Sequence, residues 1–271
     1  MNVAKKMELF KNTTVYDWHE HIWTKNLTDE LDIQGCDRLA EHARLLHIDK
    51  VVVSHPISQH TTPERIAALN NVVAEGVKRY PGLFYGMCFV DPHHGSQAVA
   101  EIERCVKELG FIGVGEQYTQ RTIDDQLYYP IIEKCIKLDI PILMHAMKYS
   151  PPHMPPGEEN TSHSAHFANI ARQYPEAVFI IGHIGNGDRH WQLKGLADCP
   201  NVLADISGSA YDHNTVEAIV TALGIDRVIF AADGSFSASV GKLIGASLSD
   251  QDKLTILNGP RVAKYIDRMG A

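Results

Sequence analysis

The first residues in this chain able to do chemistry are two histidines in Asp17-Trp18-His19-Glu20-His21. In an extended segment, side chains two apart point the same way, so His19 and His21 can converge on one ion. Imidazole is a favoured ligand for zinc and other transition metals. A lone His-x-His arises by chance in a chain with 15 histidines, so it needs partners. Four more metal-ligating side chains stand beside short apolar runs: Glu116 in Gly113-Val114-Gly115-Glu116, His145 in Ile142-Leu143-Met144-His145, His183 in Ile180-Ile181-Gly182-His183, and Asp233 in Ala231-Ala232-Asp233.

The runs themselves explain why this placement matters. Eight recur, at 14–16, 50–53, 83–87, 111–114, 140–144, 178–181, 201–204 and 227–230. Their hydrophobicity is continuous rather than alternating, as in parallel strands buried on both faces. Helical patterns lie between them. Thr62 followed by Pro63 starts one that reaches Tyr80; Ser96 is read as the cap of Gln97–Leu109; others cover 131–138, 165–174 and 216–223. Asp250 is read as the cap of a late helix, and 261–269 as the last. Strand and helix alternate at a spacing that allows a right-handed crossover each time. An open doubly wound sheet shares this alternation, but no Gly-x-Gly-x-x-Gly follows the first strand. The expectation is one (β/α)8 TIM barrel spanning 1–271, with all six side chains on the C-terminal rim where such barrels keep their active sites.

This constellation resembles the amidohydrolase superfamily of metal-dependent TIM barrels, and within it the amidohydrolase-related branch. Phe89-Val90-Asp91-Pro92, Glu108-Leu109-Gly110-Phe111 and Asn258-Gly259-Pro260-Arg261-Val262-Ala263 fit that branch too. The resemblance implies that His19 and His21 bind a divalent metal, most simply Zn2+, with His145 and Asp233 or Glu116 completing its coordination. Asp233 would be the general base, and His183 either a ligand of a second metal or the group that orients the attacking water. Glu116 leaves one ion or two open, since two-metal deoxyribonuclease-like relatives use a glutamate there.

The implied reaction is hydrolysis of an amide, lactone or other ester of a small molecule. Non-oxidative decarboxylation of a carboxylated ring is the alternative within the same branch. Two-metal phosphodiester hydrolysis and binding without turnover come behind. The net charge of −8 counts against a nucleic-acid partner. His55, Tyr118 and Arg189 are the substrate-contact candidates, Arg189 as partner of a substrate carboxylate; Met147, Tyr149 and Asn186 share the rim loops. Asp17 is expected to support the metal histidines, and Ser207 to touch substrate or cap a helix. His93 and His94 read as solvated, and His42, His47, His163, His166, His190 and His213 as structural. The proline-rich loop 150–157 is a lid candidate. Five scattered cysteines without a Cys-x-x-Cys pair read as free thiols. With no apolar run of membrane-spanning length, the expectation is a cytoplasmic protein without a membrane partner, and a homo-oligomer stays open.

Overall fold

The computed structural model describes residues 7–26, 28–147, 156–183, 193, 195–208 and 214–269. Eight parallel strands form the centre in sequence order: β1 (Tyr16–His21), β2 (Lys50–Ser54), β3 (Phe84–Cys88), β4 (Gly113–Gln117), β5 (Ile142–Met144), β6 (Phe179–Ile181), β7 (Val202–Asp205) and β8 (Val228–Ile229). Backbone bonds from Trp18 N–H to the Phe230 carbonyl (3.1 Å) and from Asp233 N–H to the His19 carbonyl (2.7 Å) join the first strand to the chain leaving the last. The strands thereby close into a (β/α)8 barrel, as the continuous apolar runs imply.

The helices outside are α1 (Ile33–Leu45), α2 (Pro63–Arg79), α3 (Ser96–Glu108), α4 (Tyr129–Leu138), α5 (Ser164–Gln173), α6 (Thr215–Leu223), α7 (Phe236–Gly245), α8 (Asp250–Asn258) and α9 (Ala263–Asp267). Thr62 caps α2 by accepting from Arg65 N–H, with Pro63 in the first turn. Two expected caps move by one residue. Ser96 opens α3 rather than capping it, because Gly95 takes the cap position at φ 52°. Asp250 likewise lies inside α8, and the Ser249 hydroxyl does the capping. His163 and His166 form a reciprocal cap on α5, a structural role as read. The last helix is shorter than 261–269 because Val262 is still outside it.

Two apolar layers hold this together. The larger packs strands against helices. The smaller fills the barrel, with Trp18, Val52, Met87, Leu143, Leu203 and Ile229 meeting Val262, Tyr265 and Ile266 from the α9 segment. Tyr16 Oη donates to Asp267 at 2.7 Å, which fixes α9 across the N-terminal end. Each such aliphatic or aromatic side chain contributes about 1.5–3 kcal/mol by burial. The five cysteines are all free and buried. Among the described residues, no helix is long and apolar enough to cross a membrane.

Two strands break the regular pairing. In β1, the four residues Asp17 to Glu20 run beside the three residues Val51 to Val53. In β4, the four residues Val114 to Gln117 run beside the three residues Ile142 to Met144. Each is a one-residue bulge, which re-aims the side chains beyond it. Asp17 supports the first one locally: its Oδ1 accepts from the N–H of His19, two residues on, at 3.2 Å.

Candidate metal centre at the barrel mouth

The bulges lie where the chemistry is. Trp18 is packed in the barrel core while His19, the next residue, faces the mouth cluster. A strictly alternating strand would put these neighbours on opposite faces; the extra residue in β1 lets both turn inward. In β4 the bulge presents Glu116. Gly115 beside it has φ +148°, and an added Cβ would lie 2.6 Å from the Leu143 carbonyl oxygen, so only glycine fits.

Glu116 is the hub. Its Oε2 lies 3.4 Å from His19 Nε2 and 3.5 Å from His21 Nε2. Its Oε1 lies 3.1 Å from His145 Nδ1 and 3.1 Å from His183 Nε2. Asp233 covers the other side, 3.0 Å from His21 Nε2 and 3.3 Å from His183 Nδ1. All six side chains read from the strand ends therefore meet in one cluster. Two of them sit on left-handed backbone, His183 at φ 57° and Asp233 at φ 47°, a conformation that costs a non-glycine residue of order 1–3 kcal/mol and concentrates at functional sites.

A second layer holds the first. Asp205, the last residue of β7, accepts from His19 Nδ1 at 2.8 Å through Oδ2. Its Oδ1 accepts from the backbone N–H of His183 at 2.9 Å and from the Ser207 hydroxyl at 2.7 Å. Donation from Nδ1 leaves His19 Nε2, which faces Glu116, as the nitrogen that a cation can take in place of a proton. Asp205 is a functional residue that carries no motif, although it follows an apolar run just as the other six do. Ser207 belongs to this layer rather than to a substrate surface, its Oγ lying 3.2 Å from His183 Nδ1. Asp17 supports backbone rather than an imidazole: besides His19 N–H, it accepts from Ala232 N–H at 3.0 Å, across the closure of the barrel. Gly182 gives His19 room, since a Cβ there would lie 3.3 Å from its Cε1.

The charges are unbalanced without a cation. Burial pushes the Glu116 carboxyl up, but the charge of His19 and hydrogen bonds from His145 and His183 outweigh this and hold it well below the carboxylate range. Burial pushes His19 down, yet Glu116 and Asp205 hold it well above the usual imidazole value. His183 is raised for a related reason, burial being overcome by Glu116. The carboxylates thus draw protons onto imidazoles, and a divalent cation can replace those protons. Among the described residues, two buried nitrogens of the cluster, His19 Nε2 and His145 Nε2, find no hydrogen-bond partner. Nitrogen and oxygen donors with buried lone pairs fit a transition-metal ion.

The mouth has an aromatic wall. Trp23 is 51% exposed, and its ring lies edge-on to both His21 (5.6 Å between centroids) and His55 (5.5 Å). Neither nitrogen of His55 has a side-chain hydrogen-bond partner among the described residues, and burial lowers its pKa, which favours the neutral ring. Tyr118 stacks against His145 at 4.1 Å. No motif marked Trp23; its position two residues beyond His21 was the available signal. His93 is not merely solvated, for its Nδ1 lies 2.7 Å from Asp91. Arg189, Tyr149, Asn186, His190 and His213 lie outside the described residues, as does 150–155 of the proline-rich loop.

Known proteins share this architecture. The sequence model of the amidohydrolase family matches residues 16–239. A 2-keto-4-carboxy-3-hexenedioate hydratase from Sphingobium is 31% identical over a stretch covering 48% of this chain and 44% of the hydratase, so the match spans less than half of that protein. A gamma-resorcylate decarboxylase from Polaromonas is 26% identical, covering 79% of this chain and 80% of the decarboxylase. The crystal structure of a dihydroxybenzoic acid decarboxylase from Polaromonas, with bound manganese and the inhibitor 2-nitroresorcinol, superposes with a TM-score of 0.71 at 21% identity, covering 94% of this chain and 98% of that one.

Proposed function

The chain belongs to the amidohydrolase family, and on that premise we propose that it is a metal-dependent lyase that removes carbon dioxide from a hydroxylated aromatic carboxylate. The relatives described above are a decarboxylase and a hydratase, which favours decarboxylation over the hydrolysis expected from sequence. The observation that carries the reading is the mouth itself: a buried histidine–carboxylate cluster, open through Asp233, beneath the Trp23–His55 wall.

The cation is assigned to His19, His21, Glu116, His145, His183 and Asp233. Within this cluster, among the described residues, two sets of three ligand atoms lie close enough to hold an ion, His19–His21–Asp233 and His19–Glu116–His183. Both need His19, and His19 has one free nitrogen because Asp205 takes the other. That shared nitrogen supports one ion rather than two. Zinc and manganese both suit the donors. When bound, the ion supplies positive charge that polarises substrate oxygens.

The protein's own residues handle the ring and the proton. Trp23 and His55 offer ring faces and edges to a flat substrate. Neutral His55 can donate to or accept from a ring hydroxyl. Asp233 and His183, 3.3 Å apart, share a transferable proton. That proton goes to the ring carbon bearing the carboxylate; the carbon–carbon bond breaks, its electrons return to the ring, and carbon dioxide leaves. A solvent proton then restores the pair through Asp233, whose side chain is 23% exposed.

Running the manganese-loaded protein with 2,6-dihydroxybenzoate and related phenolic acids in D2O tests this. Release of carbon dioxide with one deuterium on the vacated ring carbon supports decarboxylation. Inertness toward every phenolic acid, with turnover of esters, lactones or amides, contradicts it. Hydration of an unsaturated keto acid would instead assign the hydratase reaction, the second reading favoured by the 31% identical stretch.

A further inference from the structure

A second histidine–carboxylate group lies apart from the six residues of the mouth cluster. Asp91, on the turn after β3, is only 1% exposed. Its carboxylate is divided between two imidazoles: Oδ2 lies 2.7 Å from His60 Nδ1, and Oδ1 lies 2.7 Å from His93 Nδ1. His60 comes from a different segment, the loop between β2 and α2. The two rings stand perpendicular with centroids 4.3 Å apart. The three ligand atoms lie within 4.8 Å of one another.

Capping explains part of this arrangement but not all of it. Asp91 Oδ1 accepts from the backbone N–H of His93 at 3.0 Å, which caps the short turn that follows. That role needs one oxygen and no imidazole. His60, with a side chain 57% exposed, has water available and no need of a buried partner. Two imidazoles on separate loops nevertheless converge on one buried carboxylate and remain reachable from solvent. Two histidines and a carboxylate are a zinc-type donor set, with water left to complete the coordination.

We propose that His60, Asp91 and His93 form a second site for a divalent transition-metal ion, separate from the mouth cluster. Binding puts the cation where the Nδ1 hydrogens face Asp91, those protons passing to Nε2 or to solvent, and leaves the buried carboxylate charged. The ion ties the β2–α2 loop to the β3 turn. That loop begins at His55, and Gln120 Nε2 already holds it by donating to the Ile57 carbonyl at 2.6 Å. A clamp at His60 therefore fixes the far end of the segment that carries part of the pocket wall.

Zinc alone is the probe. Equilibrium dialysis against Zn2+ is expected to load the wild-type protein with one equivalent more than His60→Gln, whose amide can still donate to Asp91 while no longer serving as an imidazole ligand. The His19→Ala/His21→Ala variant should keep the equivalent that His60→Gln loses. Equal zinc content in wild type and His60→Gln overturns the proposal, as does loss of that same equivalent in His19→Ala/His21→Ala. A crystal of the wild-type protein soaked in Zn2+ gives an answer that needs no variant: an anomalous peak among His60, Asp91 and His93 supports the site, and none there refutes it. Neither result depends on the reaction run at the mouth.

Discussion

The two ends of the barrel are built on opposite principles, although the same strands run through both. At the N-terminal end, Tyr16, Trp18 and Ile229 pack against Val262, Tyr265 and Ile266 in a continuous apolar plug. At the C-terminal end, the carboxylates of Glu116 and Asp205 are nearly or fully buried. Both bulges and the left-handed residues His183 and Asp233 lie toward that end. The plug is where burial stabilises; the mouth is where buried charge and backbone strain cost stability. Their coexistence indicates that the apolar end supports an arrangement the polar end would not adopt alone. In β1 the boundary falls between two adjacent residues, Trp18 and His19.

That division can be broken from either side. Replacing Asp233 with asparagine should lower the catalytic rate by roughly 10²–10⁴, the range for loss of an acid–base group. Its melting temperature should fall only slightly, because the substitution gives up a charge that His21, His19 and His183 stabilise but keeps the side chain's size and an accepting oxygen; steady-state rates and thermal melts check both parts. Ile266→Ala, in the plug, should do the reverse: a loss of about 2–5 kcal/mol by denaturant unfolding, with turnover per folded molecule unchanged. If that variant also lost its turnover, the two ends would not be separable. Asp205→Asn should have the smaller effect of about 10–100-fold in metal affinity, read by competition with a chelator, since His19 loses the acceptor that holds its ring.

Much of this organisation was legible in the sequence, for a physical reason. Strands buried on both faces must be apolar throughout, so their ends are sharp, and a histidine or carboxylate at such an end stands out. That logic found His19, His21, Glu116, His145, His183 and Asp233. It applied equally to Asp205 in Leu203-Ala204-Asp205, where Ser207 drew the attention instead. The bulges left no such mark, because a bulge is a mismatch between two strands and neither strand carries it alone. Helices α1 and α7 were missed: α1 contains Gly35, and α7 is rich in small residues, which blurs the helical period. Trp23 gained meaning only once the barrel set its ring between His21 and His55. The reaction was the least accessible part, because one ligand set serves hydrolases, decarboxylases and hydratases alike. Specificity then rests on loops whose packing no local pattern encodes.

The proposed chemistry depends most on six side chains, distant in sequence, gripping one ion at the mouth. Anomalous diffraction from crystals of the manganese-loaded protein tests this at the site itself. A single strong peak is expected, enclosed by His19, His21, Glu116, His145, His183 and Asp233 and absent in His19→Ala/His21→Ala crystals. A fully loaded protein with no peak in that cluster, or a peak that survives the double substitution undiminished, would contradict it.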